Sequence, residues 1–309
     1  MKRAPCVLSI SVWKISIVKI KIDENIKFFF KKLVPSIFSS GVTQINILIG
    51  TIIASFEASA VSYLYFADRI YQINLAIAGI AVGTVSLPVL AEAIKRKKLT
   101  KVFNVQNKSI ELSLLLSIPA SLGLIIASYE IVNALFGYGT FSSEDVSSTS
   151  KALKYFGYGI PAFALIKVLS NFFFARNNTK TPFYISIFSV FLNILISITY
   201  FKEFGFIVIP IATSVATWCA VLIYSILLLK HKYLQTSYIF YCNFIKIIIS
   251  VTIMSMLLYF LLNFFEDKLI YTNYYKSFYL IMIVGLTATI YLLLVRLLGV
   301  FKIENFKTN

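Results

Sequence analysis

Asp68 and Arg69 stand side by side in a run, Val61 to Leu90, whose other residues are mostly apolar or small. A charge near a bilayer centre costs about 3 kcal/mol on insertion scales, so it persists only beside a partner or a wet cavity. The expectation is an ion pair facing a polar pathway through a helix bundle, with transport as the function class. Tyr65, Asp68, Arg69 and Gln72 fall at i, i+3, i+4 and i+7, so a helix carries all four on one face. A guanidinium can grip phosphate through two parallel hydrogen bonds and stays charged at any physiological pH. In the functional reading Arg69 binds a phosphate headgroup and Asp68 orients it; in the structural reading the pair locks two helices.

Other polar residues lie at membrane depth. Lys167 sits in a later apolar run, with Arg176 nine positions on, about 13 Å along a helix. Lys167 either lines a cavity or snorkels to the interface. Arg176 and Lys180 read as headgroup-level or vestibule charges. Gln44, Asn46, Thr51, Asn193, Ser197, Thr213, Ser214 and Thr217 are uncharged. Such groups bond between helices or ligate a small cation, but no acid accompanies them here. Cys6, Cys219 and Cys242 have no metal-site spacing, and the single histidine, His231, lies in a basic loop. With no nucleophile–histidine–acid set, paired carboxylates or glycine-rich phosphate loop, the chain does not read as an enzyme.

The elements that must hold these residues are membrane helices. Hydrophobic residues make up 59% of the 309 positions and charged ones 14%, and mean hydropathy is +0.83. That exceeds the soluble norm of about 45–50% apolar. Crossing roughly 30 Å of hydrocarbon takes about 20 apolar residues. Eight spans fit: 33–56, 59–93, 110–135, 152–174, 182–201, 206–229, 244–265 and 278–300. The 29 Lys and Arg against 13 Asp and Glu give a charge of +16. In a soluble chain that would suggest nucleic acid; here the cations gather between apolar runs, after the second, fourth, sixth and eighth spans. The positive-inside rule then places both ends of the eight-span unit in the cytoplasm. Residues 1–26 lack the h-region of a signal peptide and are left unassigned.

Several of these stretches resemble the MurJ (MviN) family of lipid II flippases. They are Gln44-Ile45-Asn46 with Ala54-Ser55, Val61 to Arg69, Gly79 to Pro88, Leu135 to Phe141 and Phe174 to Pro182. The resemblance covers about residues 27–300. It implies an all-α polytopic protein of the MATE-like superfamily, with fourteen helices in two six-helix lobes plus two more. This chain would correspond to helices seven to fourteen: residues 27–230 the second lobe, residues 231–309 two additional helices and a short tail. Arg69 matches a cavity arginine used for the pyrophosphate-sugar headgroup, and the last two helices match those forming a groove for the polyprenyl tail.

The implied function is movement of a polyprenyl-diphosphate-linked saccharide from the inner to the outer leaflet of the bacterial inner membrane by alternating access. The substrate residues would be Arg69, Asp68, Tyr65, Gln72, Lys167 and Arg176. The implied partners are lipid II or a similar lipid, the bilayer lipids and a separately encoded N-terminal half, with no nucleic acid. No cofactor is expected; sodium and the membrane potential are the candidates for coupling, and the sequence does not choose between them. Some members use an acidic sodium ligand where this chain has Gly50; Asn193 fits an amide ligand, Ser197 replaces a polar or acidic neighbour, and Asn193 and Thr217 are the sodium-ligand candidates. The alternatives are a non-transporting remnant or scaffold from a split gene and an exporter of related polysaccharide lipids.

Overall fold

A computed structural model describes residue 44 and residues 46–300, and every regular element among them is helical. The segment 1–26, the start of the first expected span and the tail after 300 lie outside the described residues. Helix α1 is described over 46–54. It is followed by α2 (Ala60–Leu75), a π-helical turn (Ala76–Ile80) and α3 (Ala81–Lys95), which form one 36-residue run. Pro88 in α3 has no N–H, so the Thr84 carbonyl lacks its helical donor. The Thr84 and Ser86 hydroxyls bond back to the carbonyls of Ala81 and Gly83.

Helix α4 (Leu99–Ile126) begins eleven residues before the expected third span, and α5 (Ser128–Phe136) follows a break at Ala127. Helix α6 (Ser143–Gly157) starts at the Ser142–Asp145 pair, whose side chains and backbone N–H groups bond reciprocally in a capping box. The Tyr63 hydroxyl donates to the Asp145 carboxylate at 2.9 Å, tying α2 to that cap. The expected fourth span is not one straight helix: α6 and α7 (Ile160–Phe174) bend by 41° where Gly157 and Gly159 interrupt the run.

Helices α8 (Lys180–Phe204) and α9 (Val208–Lys230) form an antiparallel hairpin. Ser189 Oγ reaches Ala216 O, and Asn193 Nδ2 reaches Thr213 Oγ1, so residue numbers rise on one helix as they fall on the other. The turn needs Gly205, at φ 59° and ψ −151°, a region essentially confined to glycine. The Glu57 carboxylate accepts from Phe206 N at 2.7 Å and so holds the hairpin tip.

Helix α10 (Tyr238–Phe264), the short α11 (Glu266–Leu269) and α12 (Lys276–Leu297) close the described chain. The pair α10 and α12 buries one side against α4 and α5, through Ile247, Val251, Met254 and Tyr291 on Leu115 and through Leu258, Leu262 and Ile283 near Ala127 and Ala134. Tyr291 seals the contact by donating to Leu115 O at 2.7 Å.

By length and composition five of the described helical runs can cross a membrane, or six with the bent pair; Lys180–Lys230 counts once there although it folds as a hairpin. The chain is a multi-pass membrane protein.

Candidate functional site

A cavity of about 880 Å³ lies between α3, α7, α8 and α9, with Gln44 and Asn46 of the first span among its lining. Small residues make it. A Cβ on Gly79 would come within 3.1 Å of the Ala164 Cα, and one on Gly83 within 3.3 Å of the Asn171 amide. The π turn and α3 therefore approach α7 closely, and Asn171 Nδ2 fixes the contact by donating to Gly83 O at 2.7 Å. A π-helical turn inserted in an α-helix often marks a functional site.

Lys167 lines this cavity from the middle of α7 and is exposed to it. The outer wall is the α8–α9 hairpin. There Asn193 Nδ2 donates to Thr213 Oγ1, Ser197 Oγ to Asn193 Oδ1 and Thr217 Oγ1 to Thr213 O. Asn193 and Thr217 are thus in reach of one another through Thr213, and both are buried. Gly50 packs against Ile209 of the same hairpin, a Cβ there falling 3.5 Å from Ile209 Cγ2. The set is neutral and satisfied internally, and no group of three or more His, Cys, Asp or Glu that could hold a metal occurs among the described residues. These residues do not fit a sodium ion held by carboxylates.

Tyr65, Asp68, Arg69 and Gln72 share an accessible face of α2, outside the cavity's lining. Leu75, seven residues past Asp68 and so on its side of the helix, does line the cavity. The expected ion pair is absent. The ion pair within 4.0 Å among the described residues is Arg96–Glu92. Consecutive helical side chains diverge by about 100°, so each charge takes a partner one turn away instead. Gln72 Nε2 donates to Asp68 Oδ2, and the Arg69 guanidinium stacks over the Tyr65 ring, 4.6 Å from its centroid. Arg69 is left with no carboxylate.

Arg176 stands apart from both groups. Its nitrogens donate to the carbonyls of Phe172 (2.7 Å) and Tyr233 (3.2 Å), and its guanidinium lies 4.3 Å from the Tyr233 ring. It clamps the end of α7 to the loop after α9.

Sequence reasoning missed Lys276. Only 1% of it is exposed. Its ammonium donates to Asn133 Oδ1 (3.0 Å), Gly137 O (2.6 Å) and Tyr271 O (2.9 Å), between the rings of Tyr138 and Tyr271. It joins the start of α12 to the end of α5. No linear signal marks it, because two of its three acceptors are 143 and 139 positions away.

Comparison with known proteins agrees with this arrangement. The profile of the family described as "Lipid II flippase MurJ" matches residues 5–284, so most of the segment left unassigned falls within the family's length. The chain is 34% identical over 270 residues to the "Probable lipid II flippase MurJ" of Rickettsia prowazekii (strain Madrid E), covering 87% of this chain and 52% of that protein. With the Rhizobium meliloti (strain 1021) protein of the same name it shares 41% over 198 residues, 64% of this chain and 37% of that one. The chain spans about half the length, or less, of these curated relatives. Among solved structures, "Lipid II flippase MurJ, inward closed conformation" superposes with a TM-score of 0.70 at 26% identity, over 91% of this chain and 57% of that one. The structure titled "Crystal structure of MATE in the straight conformation" matches at a TM-score of 0.54 and 17% identity, over 86% and 61% of the two chains, which shows a shared fold. The helical bundle and the profile match over most of the length together establish that the chain belongs to the lipid II flippase MurJ family.

Proposed function

We propose that this chain provides the second lobe and the two C-terminal helices of a lipid II flippase in the bacterial inner membrane, moving a polyprenyl-diphosphate-linked saccharide outward without making or breaking bonds. The observation that carries this is Arg69: a guanidinium about 13 Å into α2, exposed and unpaired by any carboxylate. The uncompensated charge favours a diphosphate, which the guanidinium fork meets with two parallel hydrogen bonds. The Tyr65 ring supports the guanidinium plane from one side. The Asp68 carboxylate, one residue before it, accepts from Gln72.

Alternating access needs two lobes around a site near the bilayer midplane. In this reading the Arg69 face is what this lobe contributes, and the lipid tail stays in the bilayer while the headgroup crosses. The test is done in cells whose own gene carries Arg69→Ala. An externally added enzyme that cleaves lipid-linked precursor reports how much headgroup is exposed outside. We expect at least a tenfold fall in cleavable precursor with protein levels unchanged, and partial recovery with Arg69→Lys. Wild-type exposure in Arg69→Ala would refute the role.

A further inference from the structure

We propose that the outer face of the α8–α9 hairpin holds one anionic phospholipid, its acyl chain in a groove between the two helices and its headgroup on Lys180 and Lys230. The groove, about 380 Å³, is lined by Thr181, Tyr184, Ile185 and Phe188 of α8 and by Ile223 and Leu227 of α9. That volume falls within the usual range for small-molecule sites, roughly 300–1,000 Å³. Hydrogen bonds join the helices at Ser189–Ala216 and Asn193–Thr213, nearer the Gly205 turn; the groove lies beyond them, toward the open end of the hairpin. Tyr184 and Phe188 are 66% and 45% exposed, so the groove opens away from the bundle. Ile185 is buried and lines both this groove and the inner cavity. A chain seated outside therefore backs the cavity wall.

An apolar groove at membrane depth takes hydrocarbon, and the charges at its open end fix the sign of the headgroup. Lys180, the first residue of α8, stands four positions before Tyr184, and Lys230, the last of α9, three positions after Leu227. Residues three or four apart share a helix face, so both ammonium groups lie just past the same end of the groove. Both are exposed, and His231 and Lys232 follow at once. Residues 146–202 and 204–265 contain no Asp or Glu, and Glu203 lies at the far end of α8. The positive charge is therefore uncompensated along both helices. Under the positive-inside rule this end lies at the cytoplasmic leaflet, whose anionic lipids attract lysines beside a membrane helix. Lysine stems can follow apolar surface while their ammonium groups reach headgroup phosphates. The Thr181 hydroxyl accepts from Asn178 Nδ2 at 2.9 Å and keeps its own O–H to donate to an ester or phosphate oxygen. A zwitterionic lipid would bring a further cation against the lysines; an anionic one does not.

The site rests on the hairpin and not on the flippase reading. Native mass spectrometry of the full chain released from detergent tests it, with phosphatidylglycerol and phosphatidylcholine of the same acyl chains as probes. We expect the first phosphatidylglycerol to bind at least tenfold more tightly than phosphatidylcholine. The double substitution Lys180→Gln with Lys230→Gln should remove that preference. Ile223→Trp fills the groove but keeps both cations, and it should weaken phosphatidylglycerol tenfold or more. In the chain without substitutions, phosphatidylglycerol carrying a photoreactive acyl chain should form adducts at 184–188 and 223–227. That measurement holds even if a variant fails to fold. Equal affinity for the two lipids, wild-type affinity in either variant, or adducts spread evenly over the outer helix faces overturns the proposal. A dimer that Ile223→Trp dissociates would assign the groove to a second copy of the chain and overturns it too. Because the readout is lipid binding and not translocation, it fails or succeeds independently of the Arg69 experiment.

Discussion

Single residues in this bundle are decided by who can reach them. The Lys276 ammonium is nearly inaccessible and spends all three N–H groups on Asn133, Gly137 and Tyr271. Lys276→Met keeps the stem's apolar volume but leaves three buried acceptors without that donor. An acceptor left unsatisfied costs about 1–3 kcal/mol, offset in part by no longer burying an ammonium, so the net loss should be about 3 kcal/mol. Chemical denaturation in detergent should show that loss, and hydrogen exchange should rise at 271–280 ahead of the rest. An unchanged midpoint would mean that the packing of α12 on α5 carries the joint alone.

The same scale shows what could be read in the chain and what could not. Helical spacing placed Tyr65, Asp68, Arg69 and Gln72 on one accessible face correctly, because a 3.6-residue period is a local property. It did not choose their partners. Adjacency in sequence suggested an Asp68–Arg69 pair, whereas the helix turns neighbours apart and offers residues four positions away. The partners of Arg176 and Lys276 escaped for a different reason: their acceptors include backbone carbonyls at distant positions, and a carbonyl has no residue type to recognise.

Elements were easier to foresee than their breaks. From the second span to the eighth, every expected apolar run corresponds to helix. The π turn at Ala76–Ile80 and the 41° bend between α6 and α7 were not foreseen, since both depend on how closely a neighbouring helix can come. The hairpin turn between α8 and α9 shows that dependence in measurable form. Gly205 has φ 59°, and a Cβ there would lie 2.7 Å from Glu57 Oε2. Gly205→Ala should therefore strain the turn and displace the carboxylate that holds Phe206 N. The expected cost is about 1–3 kcal/mol from the backbone alone, read as a lowered unfolding midpoint in detergent. Adding Glu57→Ala to Gly205→Ala removes the clash but not the strained φ, so only part of the loss should return. Full recovery would locate the whole cost in the contact.

For the whole molecule the outstanding expectation is its orientation. Lys95, Arg96, Lys97, Lys98 and Lys101 follow α3 or open α4, and Lys230, His231 and Lys232 follow α9, while Glu144 and Asp145 lie between α5 and α7. Under the positive-inside rule the first two groups face the cytoplasm and the third faces out. The fold permits this, because the 137–142 loop and the 231–237 loop are separated by the bent α6–α7 pair and the α8–α9 hairpin, an odd number of crossings. Single cysteines placed in a chain whose own cysteines are serine can decide it. Thr140 and His231 are both exposed. On intact spheroplasts a membrane-impermeant maleimide should label Thr140→Cys at once and His231→Cys only after permeabilisation. The reverse pattern would invert the chain and bring the lysine-rich turn after α3 outside. Arg69, about 13 Å from the α2 end nearest the capping box, would then be reached first from the cytoplasmic side, and outward movement of a headgroup would have to begin rather than end at that face.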